Sequence, residues 1–235
     1  WAAAAAAAVA VVITGVNLAH PGKAFAATPP MPTITTIGQD AVTTLHQMKA
    51  RATAQPDGSA STEITTQWWA LSSDVDATGK ITASTIDPRR RVATLGPHGI
   101  TSYTDYAAQP FDAAGRPADD PSAPAPGTQL DTVTVDPDQQ VFPDSPPTNP
   151  AAFGDYLADH LPLNSPSPTS NAFTGIRTLM AERILTPAQQ EAFLGYLAGL
   201  PDIQILGTST DRLGRNVLVF AAPTQENNQT LLMIS

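Results

Sequence analysis

The chain has no cysteine among its 235 residues, which excludes disulfide bonds and thiolate metal sites. Basic residues are also scarce, since 12 Lys and Arg stand against 21 Asp and Glu and the formal net charge is -9. Phosphate neutralisation needs a concentrated basic surface, and the only basic cluster is Arg89, Arg90 and Arg91. We therefore expect no nucleic-acid partner. We interpret the three arginines as a solvated strand edge, with contact to anionic lipid head groups or an acidic partner as the alternative.

The sequence also lacks the patterns of known catalytic and cofactor sites. Neither a Gly-x-Ser-x-Gly turn nor a phosphate-binding glycine loop occurs, and no two of the four histidines have the spacing of a metal-binding helix pair. The loop from Asp74 to Gly79 resembles the start of a calcium loop, but Thr85 stands where a bidentate glutamate is required. We interpret this loop as a hairpin turn, and we expect a non-enzymatic protein without cofactor or metal.

Residues 2–19 contain no charged side chain, whereas all 21 acidic residues follow residue 27. At about 1.5 Å per residue, a helix of this length spans roughly 27 Å, close to the hydrocarbon thickness of a bilayer. The small-x-small sequence that ends at Ala26 has the form that a signal peptidase cleaves. We predict that residues 1–27 are a transmembrane anchor or a cleaved signal segment. A polyalanine helix buried in a soluble core is the third alternative.

Residues 28–235 remain for a single extracytoplasmic domain with a formal charge of -10, from 21 acidic and 11 basic residues. Ten of the 23 prolines fall between residues 107 and 150, where each removes a backbone donor and fixes φ. We predict a proline-rich insertion at about 107–150, a surface excursion or linker that contains one edge strand, residues 129–135.

Hydrophobic periodicity predicts strands before this insertion and helices after it. Thr36 and Gln39 have the form of a capping box for a first helix over residues 37–52. The predicted strands are 62–73, 80–86, 89–95 and 100–106; the later helices are 151–161, 171–185 and 188–200; a meander of strands follows at 203–207, 216–222 and 230–235. This order is typical of an α+β fold, with an antiparallel sheet that helices cover on one face and that the late meander extends.

Trp68 and Trp69 are the candidate contacts for a ligand or partner. Neighbouring residues of a strand face opposite sides of a sheet, so one ring can fill the core while the other lines a groove. The functional interpretation predicts an apolar pocket beside one of the two rings. The structural alternative is that both rings only pack.

Residues 185–215 carry a resemblance to a known family. They contain a helix that ends in Leu-Ala-x-Leu-Pro at 197–201, a short strand, and an Asp-x-x-Gly-Arg hairpin formed by Asp211, Gly214 and Arg215. Together with Thr-Gln-Trp-Trp at 66–69 and Ala-Thr-Pro-Pro at 27–30, these motifs resemble an uncharacterised family of actinobacterial membrane-anchored extracytoplasmic proteins.

The resemblance implies one transmembrane helix, an extracytoplasmic domain, genes that are often near those of sigma factors, and no established activity. The order of helix and sheet is also similar to the half-barrel lipoprotein carriers, which implies a curved sheet around an apolar ligand. The long proline-rich insertion departs from that pattern and argues against closure of such a barrel.

From these observations we expect a sensing or binding domain at the cell membrane, or a secreted one if the chain is cleaved after Ala26. Its expected partners are the membrane, through the first helix, and an apolar ligand or another envelope protein. A lipid or lipoprotein carrier and a cell-wall hydrolase are the alternative functions.

Overall fold

The computed structural model describes residues 32–54, 62–79, 81–96, 99–111, 116–117, 123–163, 167–211, 213–223 and 229–235. Four α-helices and seven β-strands lie within these ranges. In chain order they are α1 Ala41–Thr53, β1 Glu63–Val75, β2 Ile81–Gly96, β3 Gly99–Ala107, β4 Gln129–Thr134, α2 Pro150–His160, α3 Pro168–Glu182, α4 Pro187–Ala198, β5 Gln204–Thr210, β6 Asn216–Pro223 and β7 Gln229–Ile234.

The predicted α+β class is confirmed, but the strands form two antiparallel sheets and not one. The first has the order β1-β2-β3-β4 and the second the order β5-β6-β7. The expectation that the late meander extends the early sheet is therefore wrong. The two sheets differ in the environment of their faces, because β6 and β7 are buried on both faces whereas β4 is exposed along most of its length.

The main apolar core lies between the helices and one face of the second sheet. Phe220 and Leu232 face it from the sheet, and Phe173 and Leu197 face it from α3 and α4, all with no exposed surface. Burying each such side chain contributes about 1.5–3 kcal/mol. The opposite face of the second sheet holds another buried cluster, formed by Val217, Val219, Ala221, Leu231 and Met233. The prediction that helices cover one face of a sheet is confirmed for this sheet.

Helix starts follow local capping chemistry. Thr186 and Gln189 form a capping box at α4, with Pro187 at the first helical position, where its missing amide hydrogen is not needed. Asn149 caps α2 by accepting a hydrogen bond from the Ala151 amide, and a proline again follows the cap. Ser167 caps α3, so this helix begins three residues before its predicted start at Asn171 and ends at Glu182.

The first helix begins at Ala41 and not at residue 37 as the sequence suggested. The Asp40 side chain accepts a hydrogen bond from the Thr43 amide and is the N-cap. The preceding segment is extended because Thr35 pairs with Thr208 through two backbone hydrogen bonds of 2.8 Å. The capping-box pattern of Thr36 and Gln39 therefore directly follows the β-bridge at Thr35, which holds this segment in a non-helical conformation.

Strand β2 is continuous, although the sequence predicted two strands with a break at Asp87-Pro88. Pro88 lies opposite Trp69 of β1, and its carbonyl accepts a hydrogen bond of 3.0 Å from the Ala108 amide, just past the end of β3. In a strand, the N–H and C=O of one residue point to the same side. The N–H that Pro88 lacks would therefore point toward the place where β3 ends. The proline is therefore tolerated inside a paired strand.

The hairpin turn predicted at Asp76–Gly79 is confirmed. The Gly79 amide donates to the Asp76 carbonyl at 2.9 Å, and the Asp76 carboxylate accepts from the amide and hydroxyl of Thr78. Gly79 has a φ of 83°, which favours glycine. The oxygen atoms of Asp76 thus stabilise the turn itself.

The edge strand predicted within the proline-rich region is confirmed as β4, which ends at Thr134. The rest of the region is not all surface. Phe142 has no exposed area and belongs to the main core, where it stacks on Tyr156 at 5.5 Å between ring centroids. Glu182 accepts hydrogen bonds from the Val141 and Phe142 amides, which fixes this segment against α3. For this segment, the interpretation as a surface excursion or linker is wrong.

The predicted anchor or signal, residues 1–27, lies outside the described residues. Within the part of the chain that the structure does describe, no helix combines the length and the apolar character needed to cross a membrane.

Candidate functional site

Trp68 and Trp69 lie in the middle of β1 and face opposite sides of the first sheet. Trp68 is opposite Arg89 of β2, and Trp69 is opposite Pro88. Both tryptophans are partly buried. The two rings therefore have different neighbours.

On the Trp68 face, Arg91 is enclosed by aromatic and acidic groups. Its guanidinium carbon lies 3.4 Å from the centroid of the Tyr103 ring and 4.8 Å from that of the Trp68 ring. Asp105 binds the same guanidinium through two hydrogen bonds, of 2.7 and 2.9 Å. The hydrogen bonds that the guanidinium donates to the Asp105 carboxylate are the main cause that raises the pKa of Arg91 above its ordinary value. The cluster joins β1, β2 and β3 through the side chain of Arg91.

The opposite side of the sheet carries a surface that we call the Trp69 face. Gln67, Arg90 and Tyr106 form one row across β1, β2 and β3, and Thr65 and Trp69 flank Gln67 on the same side of β1. The Arg90 guanidinium lies 4.9 Å from the centroid of the Tyr106 ring. Thr65 and Arg90 are exposed, while Gln67, Trp69 and Tyr106 are partly buried. The Trp69 face is thus a partly exposed surface of aromatic rings with one cationic group, Arg90.

The run Arg89–Arg91 does not form a single basic patch at a strand edge, as the sequence suggested. Strand β2 lies between β1 and β3, so the three arginines are in the interior of the sheet. Alternation places Arg90 on the Trp69 face and the other two arginines on the Trp68 face. The charge of Arg91 is balanced by Asp105.

The aromatic rings of the first sheet do not belong to the apolar core. Neither of the two buried apolar clusters includes a residue of β1 to β4 among the described side chains. Instead, Trp68, Tyr103 and Tyr106 pack against guanidinium groups. In this packing the guanidinium groups are attracted to the faces of the rings.

A solvent-open groove of about 440 Å³ lies on another part of the molecule, between α1 and the second sheet. It is lined by Ile37, Gly38, Gln39, Thr44, Gln47, Met48, Arg51, Thr208 and Leu218. Neither Trp68 nor Trp69 lines this groove, so the pocket expected beside the tryptophans stays a prediction.

The Asp-x-x-Gly-Arg hairpin between β5 and β6 is held by one carboxylate. Asp211 accepts hydrogen bonds from the amides of Leu213 and Arg215 and from the Arg215 guanidinium, whose closest nitrogen is 2.6 Å away. Burial alone would raise the pKa of Asp211, but these hydrogen bonds outweigh burial and the pKa is lowered. The hydrogen bonds that Asp211 accepts hold the turn in place, which supports a structural role for its carboxylate.

The acidic groups that the structure describes are not arranged for metal binding. No group of three His, Asp or Glu side chains within these residues could hold an ion. The buried carboxylates of Asp105 and Asp211 each bind an arginine, and Asp202 accepts hydrogen bonds from Ser167 and Thr169.

Sequence reasoning identified the tryptophans but missed the residues that surround them. Tyr103, Asp105 and Tyr106 lie in a strand that was predicted correctly, yet their contacts depend on the register of β3 against β2. The alternation of Tyr103 and Asp105 on one face was visible in the sequence. The residue opposite each of them was not, because bulges shift the register between strands.

Comparisons with known proteins do not assign this arrangement to a class or to a particular protein. No family model, no curated protein and no solved structure matches the chain. The resemblance carried by residues 185–215 therefore stays a prediction.

Proposed function

We propose that this protein is a non-enzymatic binding or sensing domain that acts outside the cytoplasm and is attached to the membrane through its first 27 residues. In this proposal the Trp69 face is the recognition surface, and the partner is another envelope protein. One observation carries it: the first sheet presents partly buried Trp and Tyr side chains beside the exposed Arg90, and none of them belongs to either apolar cluster.

The residue types on this face support recognition of a protein. Tryptophan, tyrosine and arginine are enriched among the residues that dominate the binding energy of protein interfaces. Their rings and guanidinium groups bury a large area with few rotatable bonds, and they offer hydrogen bonds at the rim. Trp69 and Tyr106 supply the apolar area, while exposed Arg90 can bind a carboxylate of the partner.

The two faces of the sheet have different roles in this proposal. On the Trp68 face, Arg91 is already bound by Asp105 and stacked between two rings, so its charge is not available to a partner. On the Trp69 face, Arg90 is exposed and its guanidinium lies over the Tyr106 ring. Trp68 therefore contributes to sheet stability, and Trp69 contributes to binding.

The alternative functions have less support. A lipid carrier needs an enclosed apolar cavity long enough for acyl chains, whereas the groove described above is open to solvent and has a volume of about 440 Å³. A cell-wall hydrolase needs two carboxyl groups that converge in a cleft, and both Asp105 and Asp211 are engaged by arginines.

Site-specific photo-crosslinking tests the proposal. A photoreactive phenylalanine analogue replaces Thr65, an exposed residue of the Trp69 face, in the full chain produced in its own cells. We expect a defined adduct with one envelope protein, and we expect Trp69→Ala to weaken binding of the purified partner by roughly tenfold or more.

The matched control places the same analogue at Ala158, which is exposed on α2. An equal adduct from position 158, or no adduct from position 65, would contradict the proposal. The location is tested separately by fusing alkaline phosphatase to the end of the chain, since this enzyme is active only outside the cytoplasm. An inactive but intact fusion would contradict the extracytoplasmic placement.

A further inference from the structure

The groove between α1 and the second sheet has one wall from a helix and a floor from two strands. Thr44, Gln47, Met48 and Arg51 line it from α1 at helical spacing, so they share one side of the helix. Thr208 and Leu218 lie opposite each other on β5 and β6 and form the floor. The groove is therefore built from regular elements and does not depend on a long loop.

The groove stays open because α1 packs elsewhere. Ala41, Leu45 and Ala52 are the buried apolar residues of α1, and they belong to the main core. Lys49 pairs with Glu191 of α4 at 3.3 Å, which holds the helix against α4. The side of α1 that faces the groove includes the long polar side chains of Gln47 and Arg51, so it cannot close onto the sheet as an apolar stripe would.

The far wall is also fixed. The extended segment that precedes α1 is tied to β5 by the Thr35–Thr208 backbone pair and by a hydrogen bond of 2.8 Å from the Ser209 hydroxyl to the Thr33 carbonyl. Gly207, with a φ of 146°, permits this close approach, since a Cβ there would collide with the Thr35 carbonyl. A groove with two fixed walls is preorganised for a ligand.

The lining combines apolar residues with one positive charge. Ile37, Met48 and Leu218 supply apolar surface. Arg51 is the charged residue of the lining, is exposed, and forms no ion pair within the described ranges. Arg91 and Arg215 are paired with acids, whereas Arg51 leaves its positive charge at the groove of a protein whose net charge is -9.

We infer that this groove binds a small amphiphilic carboxylate, with its apolar part against Met48 and Leu218 and its carboxylate at Arg51. Gln39 and Gln47 can donate further hydrogen bonds from their amides. The volume of about 440 Å³ is within the range of about 300–1,000 Å³ that is typical of small-ligand sites. This inference is independent of the proposed function, because no residue of the Trp69 face lines the groove.

Titration of the full chain with octanoate tests the inference. We expect saturable binding by calorimetry, with backbone amide shifts in the NMR spectrum at Gln47 and Thr208. Arg51→Gln should weaken binding by roughly fivefold or more, because it removes a charge-assisted hydrogen bond. Arg177→Gln is the matched control: Arg177 is also an exposed helical arginine, but it lies on α3 and away from the groove, so binding should not change.

Two further measurements decide between this inference and nonspecific adsorption. 1-Octanol has the same chain without the charge, so it should bind at least about fivefold more weakly than octanoate. Gln47→Trp, a change at an exposed position, should fill the groove and abolish binding. Equal affinity for octanol, unchanged affinity in Arg51→Gln, or amide shifts confined to other regions would each overturn the inference.

N-acetyl-leucine distinguishes the source of the carboxylate. Tighter binding than octanoate identifies a peptide C-terminus, and weaker binding identifies a fatty acid.

Discussion

At the scale of single residues, Arg91 shows how a charge is accommodated within a sheet. It shares two hydrogen bonds with Asp105 and lies between the rings of Trp68 and Tyr103, so its charge and its planar faces are both satisfied. The Asp105 side chain is only 6% exposed, so an unpaired Arg91 would face a partly desolvated site. The strength of this contact comes from its burial, since exposed pairs contribute little.

Asp105→Asn should therefore lower the free energy of unfolding by about 2–3 kcal/mol, because it leaves a partly buried guanidinium without its counter-charge. Urea denaturation followed by circular dichroism measures this loss. The control is Asp131→Asn: Asp131 lies directly opposite Asp105 on β4 but is exposed, and we expect a change below about 0.5 kcal/mol. Similar losses for both variants would show that the Arg91–Asp105 pair stabilises the fold no more than the exposed Asp131 does.

The turn at Asp211 makes stability depend on pH. Its folded-state pKa is lowered, so the unfolded chain binds a proton more readily as the pH falls. The stabilisation is thus present above the unfolded pKa of about 3.9 and is lost as the pH falls through the folded value. We expect the wild type to lose more stability than Asp211→Asn between about pH 5 and pH 2, as measured by urea denaturation. Arg215→Gln should give an intermediate pH profile, because the backbone amides of residues 213 and 215 still donate to the Asp211 carboxylate. Parallel pH profiles for wild type and Asp211→Asn would contradict this assignment.

At the scale of elements, the segment before α2 behaves as part of the core despite its prolines. Phe142 stacks on Tyr156 and His160, and Arg183 donates hydrogen bonds to the carbonyls of Phe142 and Pro143. The prolines preset an extended backbone, which lowers the entropy that the unfolded chain loses when this segment docks. A segment without regular structure can in this way be as well fixed as a helix.

Phe142→Ala should lower the free energy of unfolding by about 3–5 kcal/mol, since the removed ring leaves a cavity among α2 and α3 residues. Leu130→Ala, in the same proline-rich region, should cost less than about 1 kcal/mol because Leu130 is 38% exposed. Thermal and urea unfolding of both variants provide the comparison. A small loss for Phe142→Ala would mean that the segment is a surface excursion after all.

At the scale of the whole molecule, the second sheet is an interior layer. Leu232 and Met233 are neighbours on β7 and face opposite sides, yet both are buried, one in each apolar cluster. The first sheet differs, because its described side chains join neither cluster. Helix α3 contacts β1 as well as β6 and β7, so it connects the two sheets.

Leu232→Ala and Met233→Ala should each lower the free energy of unfolding by about 2–5 kcal/mol, because each removes buried apolar volume. If one face of this sheet were exposed to solvent, one of the two substitutions would have little effect. Leu213→Ala is the control, since Leu213 is 72% exposed at the tip of a turn and should change stability by less than about 0.5 kcal/mol. Equilibrium urea denaturation at neutral pH measures all three.

The sequence by itself determined the features that depend on contacts within a few residues. The α+β class, the turn at Asp76, the start of α4 after Thr186 and the opposite orientation of Trp68 and Trp69 all follow from local spacing and backbone geometry. The structure has each of them where the pattern predicted it. Local rules failed where a distant contact competed, as when the Thr35–Thr208 bridge displaced the predicted start of α1 to Ala41.

Only the tertiary structure decided how distant segments pair. The separation into two sheets, the continuity of β2 through Pro88, the burial of Phe142 and the Arg91–Asp105 pair each depend on residues that are far apart in the chain. The groove beside Arg51 is the clearest case, since its lining comes from the segment before α1, from α1 itself and from two strands near the end of the chain. Such arrangements follow from which apolar faces are buried together and from the register between strands, and both are set by the free energy of the whole fold and not by any single segment.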